Sequence, residues 1–222
     1  IKSVYVKRIF QVGIPAGIQS TVINFSNAML QSSVNSFGSL AMAGNTATSS
    51  LEGFVYIGSN AFHQTVVSFV GQNLGGGRYD RIRRSILYCM ACSSVVCLVM
   101  GVGFLLDGRR LLAVYNSNPE VIAWGMLRMK VLFTTYFLCG MMDVASGALR
   151  GLGHSVMPAV ITLIGVCVLR VVWVCTVFPL HPTMGNLMLS YPITWAVTAA
   201  ANGLYLYWVC RRLSRPEYGV VK

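Results

Sequence analysis

The stretch Met42 to Arg84 reads MAGNTATSSLEGFVYIGSNAFHQTVVSFVGQNLGGGRYDRIRR. From Met42 to Val70 it carries one acid, one histidine and no Lys or Arg. Wound as a helix, those residues extend about 43 Å, enough to cross a hydrocarbon core of about 30 Å and reach beyond it. Asn45, Ser49, Glu52, Tyr56, Ser59 and His63 recur at steps of four and three, so they share one helical face. Glu52 sits mid-span on that face. Past Val70, Gly75, Gly76 and Gly77 stop the helix, and Arg78, Arg81, Arg83 and Arg84 follow. Such a basic cluster is retained on the cytoplasmic side of a membrane.

Composition agrees with a membrane setting. Charged residues make up 10% of the chain and hydrophobic ones 55%, against roughly 25% charged in a soluble domain. The net charge of +11 would suit nucleic acid, but the bases sit in short links between apolar runs, as the positive-inside rule explains. No nucleic-acid partner is expected; membrane lipid is. The seven cysteines lie mostly inside apolar runs. Cys89 and Cys92 form a C-x-x-C pair that reads as packing, since no βαβ pattern surrounds it. No cleavable signal peptide is visible, and the start at Ile1 suggests a fragment or a trimmed product.

Six spans are expected, over residues 9–36, 42–70, 85–106, 121–149, 158–178 and 188–209, as one transmembrane unit across 1–222. The first carries Gly13-x-x-x-Gly17, a pattern that lets helices approach closely. Its Ser20, Asn24, Asn27, Gln31 and Asn35 form a second polar stripe, which lipid cannot satisfy. The third span is the most uniformly apolar and reads as lipid-facing or a spacer. Ser117-Asn-Pro-Glu120 reads as a capping box opening the fourth. The second and fourth spans both end in G-x-x-x-G-x-G, at Gly71–Gly77 and Gly147–Gly153. The sixth carries Thr194, Thr198, Asn202 and Tyr205 on one face. Twelve basic residues fall on the side of the two termini, against Arg109 and Arg110 opposite, or four if Arg128 and Lys130 are counted. Both termini are therefore expected in the cytoplasm.

The substrate or cation cavity is expected from Asn24, Asn27, Gln31, Asn45, Glu52, Tyr56, Asp143 and Arg170. Glu52 reads either as a proton or cation site, or as half of a structural ion pair. Asp143 either lines the inner mouth of a cavity or pairs with Arg150 or Arg170. Arg170, in mid-membrane, must face a cavity or meet an acid. The asparagines suit a substrate or cation, or bond helix to helix. His154 and His181 fall on opposite sides of the membrane and His63 is embedded, so no metal site is expected. Gly75–Gly77 lacks the G-K-[ST] of a phosphate loop. No nucleophile or metal set converges at one depth, so an enzyme is not expected.

Three segments carry a family resemblance: GIPAGIQ at Gly13–Gln19, VGQNLGGGRYDRIRRS at Val70–Ser85, and ALRGLGHSVMPA at Ala148–Ala159. In order and at this spacing they resemble the C-terminal half of multidrug and toxic compound extrusion (MATE) transporters. The resemblance implies an all-α integral membrane fold, a six-transmembrane-helix lobe of a twelve-helix transporter. It implies an antiporter of the inner membrane that exports organic cations, drugs or other amphipathic compounds, driven by H⁺ or Na⁺ without another cofactor. The implied partner is an N-terminal six-helix lobe, absent from this chain. In one branch of the family, carboxylates on the first and fourth helices of this lobe bind cation. The matching neighbourhoods here hold Asn24 and Cys139, with Asp143 one turn further on, so coupling falls to the other lobe or to Glu52. The alternatives are a lipid-linked precursor flippase, against which stands Arg170 as the lone mid-membrane base, and a non-transporting membrane subunit.

Overall fold

The computed structural model describes residues 3–213; in the first helix, the side chains of residues 6, 9, 10, 13, 14, 17, 18 and 20 onward. Lys2, Arg215, Lys222 and the side chains of Lys7 and Arg8, counted above for orientation, lie outside the described residues. The chain forms α1 (Ser3–Asn35), α2 (Ser39–Gly75), α3 (Tyr79–Leu106), a short α4 (Gly108–Tyr115), α5 (Pro119–Gly151), α6 (Val156–Leu180) and α7 (Met184–Leu213). No strand occurs among the described residues. The helices α3, α5 and α6 are long and apolar enough to cross a membrane. The other three long helices, α1, α2 and α7, are those that carry the polar stripes.

The centre is α5, packed against α2, α3 and α7. Met129, Leu132 and Phe133 are fully buried and Tyr136 nearly so, while Ala123, Leu127, Lys130 and Thr134 leave one narrow face of α5 exposed. Glycines set how near its neighbours come. A Cβ on Gly44 of α2 would stand 2.6 Å from the Val121 carbonyl and 2.8 Å from the Gly125 amide. One on Gly101 of α3 would collide with the Phe133 carbonyl. Backbone thus meets backbone on two sides of α5, and small residues are what permit it. The Thr48 hydroxyl lies between the two chains, 3.0 Å from the Gly44 carbonyl and 3.1 Å from that of Gly125.

Among the described residues the expected close approach at Gly13 and Gly17 is not found: a Cβ on either would meet nothing within 4 Å. Here α1 stands at the edge of the bundle, against α2 and α6, with Ile14, Ile18 and Phe25 exposed. The capping residue of α5 is Asn118, one position later than the expected Ser117. Its side chain accepts from the Glu120 amide at 2.9 Å, with Pro119 in the first turn. As expected of a lipid-facing helix, α3 turns Leu87, Val95, Val99 and Leu106 outward.

The paired glycine runs give α2 and α5 the same ending. In α2 the Gly76, Gly77 and Arg78 amides donate to the Gln72, Leu74 and Asn73 carbonyls at 2.9, 3.2 and 2.8 Å. In α5 the Leu152, Gly153 and His154 amides donate to Ala148, Arg150 and Leu149 at 3.0, 2.9 and 2.9 Å. Each position in one set corresponds to the same position in the other. Gly77 and Gly153 take φ of +67° and +86°, the left-handed geometry that closes a helix and that glycine adopts without a steric penalty.

A feature without a sequence signature appears in α6. Its backbone widens to i→i+5 bonding over Leu163–Val168 and again over Trp173–Val177. Arg170 lies on the tighter turn between them, Leu169–Val172. Such widened turns recur at functional sites. Beyond α6, Asn186 fastens the hairpin to α7: its Nδ2 donates to the His181 carbonyl at 2.9 Å, and its own carbonyl accepts from Trp173 Nε1 at 3.1 Å.

Candidate functional site

The polar face of α2 opens on two cavities rather than one. The first, about 240 Å³, lies nearer the α1–α2 turn and is lined by Asn27, Gln31, Asn45, Ser49, Glu52, Arg128 and Tyr191, with Leu30, Val34 and Met188. The second, about 230 Å³, lies nearer the glycine-rich ends of α2 and α5. Tyr56, Asn60, His63, Gln64, Asp143, Ser146 and Arg150 are among its walls. Of the eight residues expected to share a cavity, Asn27, Gln31, Asn45 and Glu52 meet in the first. Tyr56 and Asp143 belong to the second. Asn24 is exposed and lines neither, although Ser20 and Ile23 of α1 line the second and Asn27 the first.

Arg128 organises the first cavity, and sequence reasoning placed it only as a base near the start of a span. It is 5% exposed. Its Nη1 donates to the Asn45 carbonyl at 3.1 Å, to Asn45 Oδ1 at 2.6 Å and to Ser49 Oγ at 2.6 Å. Its Nη2 forms a salt bridge with Glu52 Oε2. The steps of four and three along α2 thus present three acceptors to one guanidinium. Asn45 in turn donates to Gln31 Oε1 at 2.6 Å, tying α1 to the cluster. Of the two readings of Glu52, the structure shows the ion pair.

Arg170 stands behind the same wall, 3% exposed. Its Nη1 donates to Asn27 Oδ1 at 2.8 Å and its Nε to the Thr194 hydroxyl at 3.4 Å. The expected acid partner is not there: among the described residues, no carboxylate lies within salt-bridge distance of Arg170. Its guanidinium carbon is instead 4.2 Å from the centre of the Tyr191 ring, whose centre is 5.9 Å from that of Arg128. Tyr191 therefore holds two cations within about 10 Å of each other. At an effective dielectric of about 20, their repulsion is roughly 1.7 kcal/mol. The ring quadrupole and one carboxylate offset it. Arg170 is thus one of two buried bases beside this cavity.

In the second cavity His63 meets α5. Its Nδ1 lies 2.8 Å from the Asp143 carbonyl. A carbonyl only accepts, so Nδ1 carries the proton. This contact satisfies the embedded imidazole. The Asp143 carboxyl shares this cavity with Arg150 and Tyr56. No group of three or more His, Cys, Asp or Glu suited to a metal occurs among the described residues.

An all-helical bundle with buried charges between apolar helices is the architecture of a multi-pass membrane protein. Residues 15–176 match the MatE family model, and the chain belongs to that family. Its members are transporters, not enzymes. The chain is 30% identical to YpnP of Bacillus subtilis, a probable multidrug resistance protein, over 73% of this chain and 36% of that one. It is 22% identical to an FAD transporter of Shewanella oneidensis over 91% and 44%. Among solved structures, the Vibrio cholerae MATE transporter VcmN in its bent form superposes with a TM-score of 0.84 at 15% identity, over 96% of this chain and 48% of that one. A MOP superfamily transporter from Pyrococcus furiosus, described as having a binding pocket of reverse polarity that suggests a different function, superposes with 0.74 at 16% identity, over 94% and 45%. The chain spans less than half the length of each of these proteins.

Proposed function

We propose that this chain is one six-helix lobe of a secondary active exporter of amphipathic small molecules, coupled to H⁺ or Na⁺. In this reading it works with a second six-helix lobe in the inner membrane, with both termini cytoplasmic. The observation that carries the reading is the charged first cavity. Burying Arg128, Glu52 and Arg170 between apolar helices costs stability that packed apolar residues would not. A chamber that must be wetted, filled and emptied justifies the cost. Export then requires that substrate and coupling ion favour different states of that chamber. The organic-cation form of the proposal draws on the second cavity, where Asp143 and Tyr56 supply a carboxyl and an aromatic face.

The test is efflux by the complete two-lobe transporter in a bacterium stripped of its own pumps. A fluorescent amphipathic dye should accumulate several-fold less in expressing cells, and collapse of the H⁺ or Na⁺ gradient should restore accumulation. Glu52→Gln should abolish the gradient-driven part at unchanged membrane level. Unaltered accumulation of dyes of every charge, with the protein correctly inserted, would refute the reading.

A further inference from the structure

We infer that the first cavity takes an anionic group, a phosphate or a carboxylate on an amphipathic molecule, and that Glu52 is the resident counter-ion which that group displaces from Arg128. The inference rests on the exporter reading and names the substrate class of its chamber.

Three observations carry it. The first is charge. Two guanidiniums, Arg128 and Arg170, flank Tyr191, and Glu52 is the one carboxylate lining the cavity. The remaining polar contacts, Asn27, Gln31, Asn45, Ser49 and Thr194, are neutral. Within the lining Arg128 and Glu52 balance, and Arg170 behind Tyr191 adds a positive charge with no carboxylate in salt-bridge reach among the described residues, so the surroundings repel an organic cation and favour an anion.

The second is the geometry of Arg128. Its Nη1 is anchored on α2 by Asn45 and Ser49. The opposite edge, Nε with Nη2, is the fork that grips a carboxylate or phosphate with two parallel bonds. Here that edge is half used. Nη2 meets only one oxygen of Glu52, and Nε is buried without a partner among the described residues. An anion on this edge satisfies the orphaned Nε–H and replaces Glu52 on Nη2. Glu52, 18% exposed, is free to turn toward the cavity as it does so.

The third is size. The cavity of about 240 Å³ is smaller than the roughly 300–1,000 Å³ of pockets that enclose a drug-sized ligand. That is room for a charged head group but not for a whole amphipathic molecule. The apolar part would extend past Leu30, Val34 and Met188. Asn27 and Ser49 are exposed, so the cavity reaches the surface of the lobe. Glu52 then does two jobs: it holds Arg128 in place when the site is empty, and it competes for Arg128 so that a bound anion can leave.

Binding to the complete transporter in nanodiscs tests this with two matched probes, naphthyl phosphate and naphthyl-trimethylammonium, displacing a tritiated form of each. The phosphate should bind at least tenfold more tightly. Arg128→Gln should weaken it at least tenfold. Arg170→Gln should weaken it several-fold, and Arg170→Lys should largely restore it. Glu52→Gln should tighten phosphate binding several-fold, a gain that a misfolded variant cannot mimic. Adding phosphatidic acid to the nanodisc separates the sources: competition with naphthyl phosphate assigns the site to a lipid head group, its absence to a soluble anion, and either supports an anion site. Equal or tighter binding of the trimethylammonium probe, or weakened phosphate binding in Glu52→Gln, overturns the inference. Dye efflux that persists in Arg170→Gln alongside such a result leaves the exporter reading standing and removes only the anion site.

Discussion

Replacing Arg128 with methionine gives the sharpest view of how the first cavity is held. The guanidinium is 5% exposed, and a thioether of similar length fills much of its volume. The change removes three bonds to Asn45 and Ser49 and the salt bridge to Glu52. Removing one partner of a largely buried pair costs about 3–5 kcal/mol, because the other charge is stranded. Adding Glu52→Gln takes that charge away. What then remains is the loss of three bonds to Asn45 and Ser49, about 3 kcal/mol in all. The double variant should therefore be more stable than Arg128→Met alone by up to about 2 kcal/mol. Denaturation of the chain in mixed micelles, followed by tryptophan fluorescence, measures the difference, with the buried Trp195 among the reporters. A double variant no more stable than Arg128→Met would mean that the two side chains are not coupled, and the account of the cavity given above would fail with them.

Gly44→Ala should destabilise by about 1–3 kcal/mol, because its methyl meets α5 backbone that cannot give way without parting the helices. Gly53→Ala, with nothing within 4 Å, should shift the melting midpoint little or raise it. Gly77→Ala and Gly153→Ala should each cost about 1–2 kcal/mol through their positive φ, and the two losses should match within error in thermal melts because the helix ends match. Asn186→Ala should cost about 1–2 kcal/mol and raise hydrogen exchange at the α6–α7 hairpin, where its amide bonds His181.

The helices were legible because apolar runs, glycine stops and basic links report on local physics. The polar stripe of α2 was legible for the same reason, and it does face a cavity. What it faces was not legible. Arg128 and Lys130 stand two positions apart in one apolar run, yet the first is buried and the second exposed. The usable signal was the lone acid on a stripe of neutral acceptors, which in lipid calls for a base at the same depth. Asn24 lines neither cavity because a stripe recurring every three to four residues spans a broad arc of α1, and only Ser20, Asn27 and Gln31 of it fall on the cavity side. The widened turns of α6 depend on how neighbours pack and leave no trace in composition. The matched helix ends were visible as three glycines each, and only hydrogen bonding shows how fully they correspond.

The glycine seams give the lobe a keel. Where α2, α3 and α5 touch backbone to backbone, neither sliding nor rotation is possible without tearing contacts on both sides of α5. The peripheral α1 shows no such lock among the described residues, whereas α6 is seated at Gly165, where a Cβ would collide with Thr198 of α7. A shift of α1 against this frame carries Asn27 with it, while Glu52, Arg128 and Arg170 stay on the packed helices. One wall of the chamber is fixed and the other hung, so a displacement of α1 by a few ångströms would part Asn27 from Arg170 before it changed the spacing of the two arginines.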